Sequence, residues 1–170
     1  GGHNGPGLAL CDDGVVVDLS AMKGIRVDAS HRTVRVEPGC CWGDVDHAAH
    51  PFGLAVPTGI ISTTGVPGLT LGGGHGYLAR KFGLTIDNLL EADVVLADGR
   101  LVTAGPDQYE DLFWALRGGG GNFGIVTSFL FQARPVETVY AGLTLWPLDD
   151  AEAAMKWYRD FSPEPTRTSM

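Results

Sequence analysis

Residues 59–76 read GIISTTGVPGLTLGGGHG, and no helix or strand accommodates that composition over its whole length. Neither the helical nor the strand period runs through it, and its glycines carry a high entropic cost of ordering. A loop longer than about 12 residues inside a compact domain is usually functional, so this stretch is expected to be a long functional loop. It ends in the second of three glycine clusters. The first is Gly1-Gly2-His3-Asn4-Gly5, the second Gly72-Gly73-Gly74-His75-Gly76, and the third runs from Gly118 through Gly121, Asn122 and Phe123 to Gly124. Glycines let several main-chain N–H groups face one anion and let backbone approach a ligand closely. No cluster is a Walker A loop, because no Gly-Lys-Ser/Thr follows. None is a dinucleotide fingerprint, because no strand leads through G-x-G-x-x-G into a long helix. A phosphate-bearing ligand fits the clusters, although its two commonest motifs are missing.

Around these clusters the pattern predicts mixed helix and strand. Residues 14–19 (GVVVDL) read as a short buried strand, and residues 32–36 (RTVRV) alternate as a half-buried one. Trp42, Val45 and Ala49 lie at helical spacing and predict a helix over residues 42–50. Residues 54–56 read as a brief strand closed by Pro57-Thr58-Gly59, and residues 77–82 as a helical turn. Asp98-Gly99 lies between two strands, residues 92–96 and 100–103, and marks a hairpin. A helix with proline at its start is expected over residues 106–116, and a long strand over residues 123–133. Near Val136 the character changes. Residues 140–145 read as a strand and residues 149–161 as an amphipathic helix, the start of a second, truncated unit. The tail, residues 162–170, brings no companion elements.

Composition narrows the function. The chain has 170 residues, 44% of them hydrophobic, enough to bury one substantial core. Its net charge of −8, with 12 basic residues scattered along it, speaks against nucleic acid as a partner. No apolar run approaches the roughly 20 residues of a membrane span. The 3 cysteines make no disulfide framework and include no CxxC, so a reducing, cytoplasmic setting is expected, with no metal site. The chain opens inside a glycine motif without an initiator Met. It is therefore expected to be a fragment or processed product whose upstream part is missing.

The run GGHNGPGLAL followed by GVVVDLS resembles the flavin-attachment loop of the berberine-bridge-enzyme-like FAD-linked oxidases, within the vanillyl-alcohol-oxidase, PCMH-type flavoprotein group. The similarity continues in order through VEPGCCWGDVD, VPTG, GVPGLTLGGGHGYLARKFGLTIDNLLEADVVLADG and EDLFWALRGGGGNFGIVTSF. What the resemblance implies is an α+β fold: residues 1–136 as a PCMH-type FAD-binding domain lacking its N-terminal part, and residues 137–170 as the first strand and helix of a substrate domain.

The same resemblance implies a role for each motif. His3 is expected to bond covalently to the flavin 8α carbon. Gly1, Gly2 and Asn4, together with Thr58, Gly59, Thr64, Gly65, Val66 and Gly68, are expected around the cofactor, with the 64–68 stretch wrapping the pyrophosphate. Gly72, Gly73, Gly74, His75 and Gly76 should pass close to the flavin, and Asp87 and Asn88 should fix the cofactor loop. Val94 and Val95 should present main chain to the adenine. Gly121, Asn122, Phe123, Gly124, Ile125 and Val126 should line the flavin region. Many relatives carry a second flavin link through a cysteine, whose place here is taken by Ile61, so a single link is expected. Cys40 and Cys41 read as small core residues, and Phe113 and Trp114 as core aromatics. His75 fits either a contact on the substrate side or a packing role. Arg80 and Lys81 read as a solvated helix face, and His31, His47 and His50 as surface residues.

The expected function is FAD-dependent oxidation of an alcohol, sugar or amine-type small molecule, with electrons passed to oxygen. The family's tyrosine base lies beyond this chain, so the fragment itself is expected to be inactive. A dehydrogenase with another acceptor and a flavin-free binding domain are the alternatives.

Overall fold

The computed structural model describes residues 1–136 and 138–161, which divide into two units with the boundary between Glu137 and Thr138. In the first unit a five-stranded antiparallel sheet is built from β1 (Ile25–Asp28), β2 (Thr33–Val36), β4 (Leu89–Val95), β5 (Leu101–Ala104) and β6 (Ile125–Gln132). Their spatial order is β1-β2-β6-β4-β5. A small second sheet pairs β3 (Leu54–Ala55) with β7 (Arg134–Pro135). The helices are α1 (Trp42–Ala49), α2 (Val66–Leu71), α3 (Ala79–Phe82) and α4 (Glu110–Leu116).

The strand β6 holds the sheet together, because it pairs β2 on one side and β4 on the other. Val34, Val36, Phe129 and Phe131 are fully buried on its inner face, and Phe131 meets Trp42 of α1 with ring centroids 5.4 Å apart. The alternation of buried residues slips twice. Register shifts between Leu89 and Glu91 and between Asp93 and Val94 put Leu89 with Ala92, and Val126 with Phe129, on the same face at three-residue spacing. A bulge inserts one unpaired residue and so resets which face the next side chain points to. The outer face carries a polar network. Arg35 reaches Asp93 at 3.1 Å, Ser128 at 2.9 Å and Glu91 at 3.2 Å, while Thr103 donates to Asp93 at 2.7 Å.

Several expectations need correction. Residues 14–19 form no strand, and Val15, Val16 and Val17 are exposed, because no neighbouring strand pairs with that apolar run. The loop over residues 59–76 is interrupted by α2, which starts with Pro67 in its first turn and needs no unusual backbone. The helix expected from Pro106 starts at Glu110 instead. Gly105 and Gln108 exchange main-chain hydrogen bonds in a turn, and Tyr109 then enters in the left-handed region at φ 49°. On that shorter helix Phe113 is buried but Trp114 is 78% exposed, so only one of the two aromatics is core. The strand β1 has no counterpart among the expected elements, because IRVD is too short to show a period.

In the second unit, residues 140–145 form no strand, since no described segment pairs with them. The helix α5 (Ala151–Phe161) follows a short 3-10 turn, and Trp157 stacks on Phe161 at 4.9 Å. The tail expected to lack companion elements lies outside the described residues.

Candidate functional site

The first glycine cluster lies against the segment that leads into α2. Gly1 and Gly65 approach so closely that a Cβ on Gly1 would sit 3.3 Å from the Gly65 Cα, and one on Gly65 3.2 Å from the Gly1 Cα. Two residues further, the His3 Nε2 lies 3.0 Å from the Thr63 hydroxyl. Beyond His3 the chain turns back, because the Leu8 N–H donates to the Asn4 side-chain oxygen at 2.9 Å and the Gly7 N–H to the Asn4 carbonyl at 3.1 Å. Gly2 takes φ 87°, a conformation that a side chain would strain.

These segments open on a cleft of about 680 Å³. Of the expected cofactor residues, the structure gathers Gly1, Gly2, His3, Asn4, Thr64, Gly65 and Gly68 in its lining. Leu19, Ser20, Pro38 and Gly39 line it as well. Gly39 has no room for a side chain, because a Cβ there would lie 2.5–2.8 Å from the carbonyl oxygens of Met22, Leu19 and Ser20. Among the described residues, no carboxylate lines the cleft, in a chain with 20 acidic residues.

Cys40 also lines the cleft, which its reading as a core residue missed, although it is buried as expected. Burial pushes its thiol pKa up, and the nearby carboxylates of Asp44 and Glu37 push the same way. It therefore stays protonated and is a poor nucleophile. Cys41 is not core. It is half-buried at the start of α1, bridged to Gly65, and its N–H donates to Asp44 at 2.9 Å. Ile61 is 49% exposed.

The other expected residues lie outside this lining. Gly76 packs so tightly on the Thr58 carbonyl that a Cβ would overlap it, and Gly59 packs on Leu69. Gly73 and Gly74 take φ 114° and 80°, and their carbonyls accept the N–H groups of Ile86 and Thr85. His75 is exposed. Asn88 is fully buried; its amide donates to the carbonyls of Phe82 and Leu84 at 3.0 and 2.9 Å, and its oxygen accepts from Arg134 at 2.9 Å. Asp87 accepts the Leu84 N–H at 2.8 Å and faces Arg117 at 3.4 Å. Val94 and Val95 lie in β4 between β5 and β6. Gly124, at φ 150°, fits against the Val94 side chain and the Val95 carbonyl, just before Ile125 and Val126 start β6. The third cluster reaches the second through the Gly120 N–H, which donates to the Leu71 carbonyl at 2.9 Å, while the Asn122 amide closes its own turn onto Gly119 at 3.3 Å. Val66 is buried and donates its N–H to the Cys40 carbonyl at 3.0 Å.

Comparison with known proteins decides what such a cleft belongs to. Residues 1–105 match the family described as FAD binding domain, more than half of the chain. The chain belongs to the FAD binding domain family. An FAD-linked oxidoreductase of Dictyostelium discoideum is 44% identical over 139 residues, covering 82% of this chain and 31% of that protein. The crystal structure of 6-hydroxy-D-nicotine oxidase from Arthrobacter nicotinovorans matches with a TM-score of 0.77 and 42% identity, over 79% of this chain and 30% of that one. Xylooligosaccharide oxidase from Myceliophthora thermophila matches with a TM-score of 0.69 and 40% identity, over 71% and 26%. Berberine-bridge-enzyme-like proteins stand among the solved neighbours too, in accord with the PCMH-type fold that the motifs implied. The chain spans about a third of the length of the curated relatives it matches.

The residues present fit FAD. Its pyrophosphate is a dianion, and the described lining of the cleft offers it glycine main chain, whose N–H groups can face an anion, and no carboxylate. A side chain at Gly1 or Gly65 would reduce that cradle.

Sequence reasoning missed two polar residues. Thr63 lay within the loop singled out, but nothing in its surroundings distinguished it from Thr64. Thr85 is fully buried, donating its hydroxyl to the Pro57 carbonyl at 2.8 Å. Its only sequence signal is its place in the GLTIDN motif.

Proposed function

We propose that the protein containing this chain is an FAD-dependent oxidase of alcohol, sugar or amine-type small molecules, with the flavin held covalently through His3. The observation that carries this reading is the imidazole of His3, set beside Thr63 at a glycine-lined cleft of an FAD binding domain. The chemistry FAD supplies when bound is two-electron oxidation of a substrate carbon, with oxygen as the final acceptor. This chain's residues bind and orient. Gly1, Gly2, Asn4, Thr64, Gly65 and Gly68 hold the pyrophosphate. Gly72–Gly76 and Gly121–Val126 lie along the flavin, Asp87 and Asn88 brace the loop between them, and Val94 and Val95 face the adenine side. With Ile61 at the second anchor's place, His3 is the single covalent link.

Acid precipitation tests the link. Yellow colour should stay in the pellet of the native protein and leave with the supernatant of His3→Ala. A pellet that stays yellow in His3→Ala removes His3 from the reading. Mixing the reduced protein with air should return the oxidised spectrum and release hydrogen peroxide; a reduced flavin that persists in air assigns another electron acceptor.

A further inference from the structure

The Thr63 hydroxyl faces the imidazole that holds the flavin, and it stands on a fixed platform. The Thr64 N–H donates to the Ile61 carbonyl at 3.1 Å and closes the turn that carries Thr63. On either side of Thr63, the carbonyls of Ser62 and Thr64 accept the N–H groups of Gly43 and Trp42, at 2.9 and 3.0 Å, so the turn is fastened to the first turn of α1. Gly43 allows that approach: a Cβ there would lie 3.0 Å from the Ser62 side chain and 3.2 Å from its carbonyl. From the other direction, the contacts Gly1–Gly65 and His3–Thr63 step oppositely along their two segments, which therefore cross antiparallel. The ring of His3 is thus aimed by main-chain packing at both ends, with Thr63 as its side-chain partner.

We infer that Thr63 is a positioning residue that selects the Nδ1 of His3 as the nitrogen joined to the flavin. This rests on the reading of His3 as the covalent anchor. A neutral imidazole carries one proton, so the hydrogen bond at one nitrogen determines what the other can do. When the Nε2–H donates to the Thr63 oxygen, Nδ1 holds the free lone pair and is the nucleophile. Forming the Nδ1–C8α bond removes one hydrogen from the imidazole and one from the 8α methyl group. The two electrons and two protons pass to molecular oxygen, giving hydrogen peroxide. Afterwards Nε2 has no proton and needs a donor. A hydroxyl serves both states, as acceptor before attachment and as donor after it, by turning about its C–O bond. Neither a carboxylate nor a hydrocarbon side chain could do so.

The test loads flavin-free protein with FAD in air and follows the flavin that survives acid precipitation, for the native protein and for Thr63→Ser, Thr63→Val and His3→Ala. Thr63→Ser should attach flavin at close to the native rate, and Thr63→Val about tenfold or more slowly while still binding FAD reversibly. A native attachment rate in Thr63→Val overturns the inference. Attachment in His3→Ala overturns instead the reading on which it rests. Two measurements on the native protein do not depend on how the valine variant folds. Nitrogen NMR of the flavin-free protein should show His3 protonated at Nε2, and the flavinylated peptide should carry its bond at Nδ1. A proton at Nδ1, or a bond at Nε2, rejects the role of Thr63.

Discussion

At the scale of single residues, the molecule spends its buried polar groups on fixing loops. Thr85 shows the logic: its hydroxyl lies 2.8 Å from the Pro57 carbonyl and 3.2 Å from the Gly74 carbonyl, and it ties the second glycine cluster to the turn before the long loop. Thr85→Val keeps the volume and deprives Pro57 of its donor. The expected cost is about 1–2 kcal/mol of unfolding free energy, read from the urea midpoint at unchanged slope. A change below a few tenths would show that water satisfies those carbonyls equally well. Asn88 works in the same way with three partners, and the LTIDN motif marked it as important before its bonds could be known. The type of residue was legible there, because a buried amide in a motif must be bonded. Its partners, Phe82, Leu84 and Arg134, were not, since Arg134 is 46 positions away.

At the scale of elements, the sheet and α1 share one aromatic contact. Trp42 is fully buried against Phe131, and Phe131 stacks on Phe129 at 5.8 Å, so one helix is clamped to the central strand. Trp42→Ala should destabilise the domain by about 3–5 kcal/mol, measured by chemical denaturation. Trp42→Phe should cost less, because the buried indole N–H has no partner among the described residues and leaves with the ring. If both variants cost the same, the ring edge and not its volume is what β6 requires. Periodicity announced α1 through Trp42, Val45 and Ala49, and the hairpin through Asp98-Gly99. It failed at residues 14–19 and 140–145, where apolar runs exist without a strand to pair with. A strand's stability lies in its neighbour, which local sequence does not contain. It also could not foresee that Tyr109 would delay α4, because that depends on the turn closed by Gly105 and Gln108.

At the scale of the molecule, the first unit brings the start of the chain against residues 61–68, and the cleft exists only because of that return. Flavin loading should therefore stabilise the whole unit. A ligand at 100 times its Kd contributes about 2.7 kcal/mol, which for a domain of this size raises Tm by about 5–10 °C. With His3 intact the gain should persist on dilution; with His3→Ala it should fall as free FAD is diluted, by scanning fluorimetry. A dilution-dependent Tm in the native protein would speak against a permanent link. By itself, the amino-acid sequence determined the family, the glycine clusters and the hairpin, because those depend on residue types at short spacing. Only the tertiary structure decided that Gly1 meets Gly65, that Cys40 lines the cleft, and that the imidazole of His3 has Thr63 as its partner. Each of these joins segments far apart in the chain, 60 residues for His3 and Thr63, and such contacts follow from how the elements pack rather than from any local pattern.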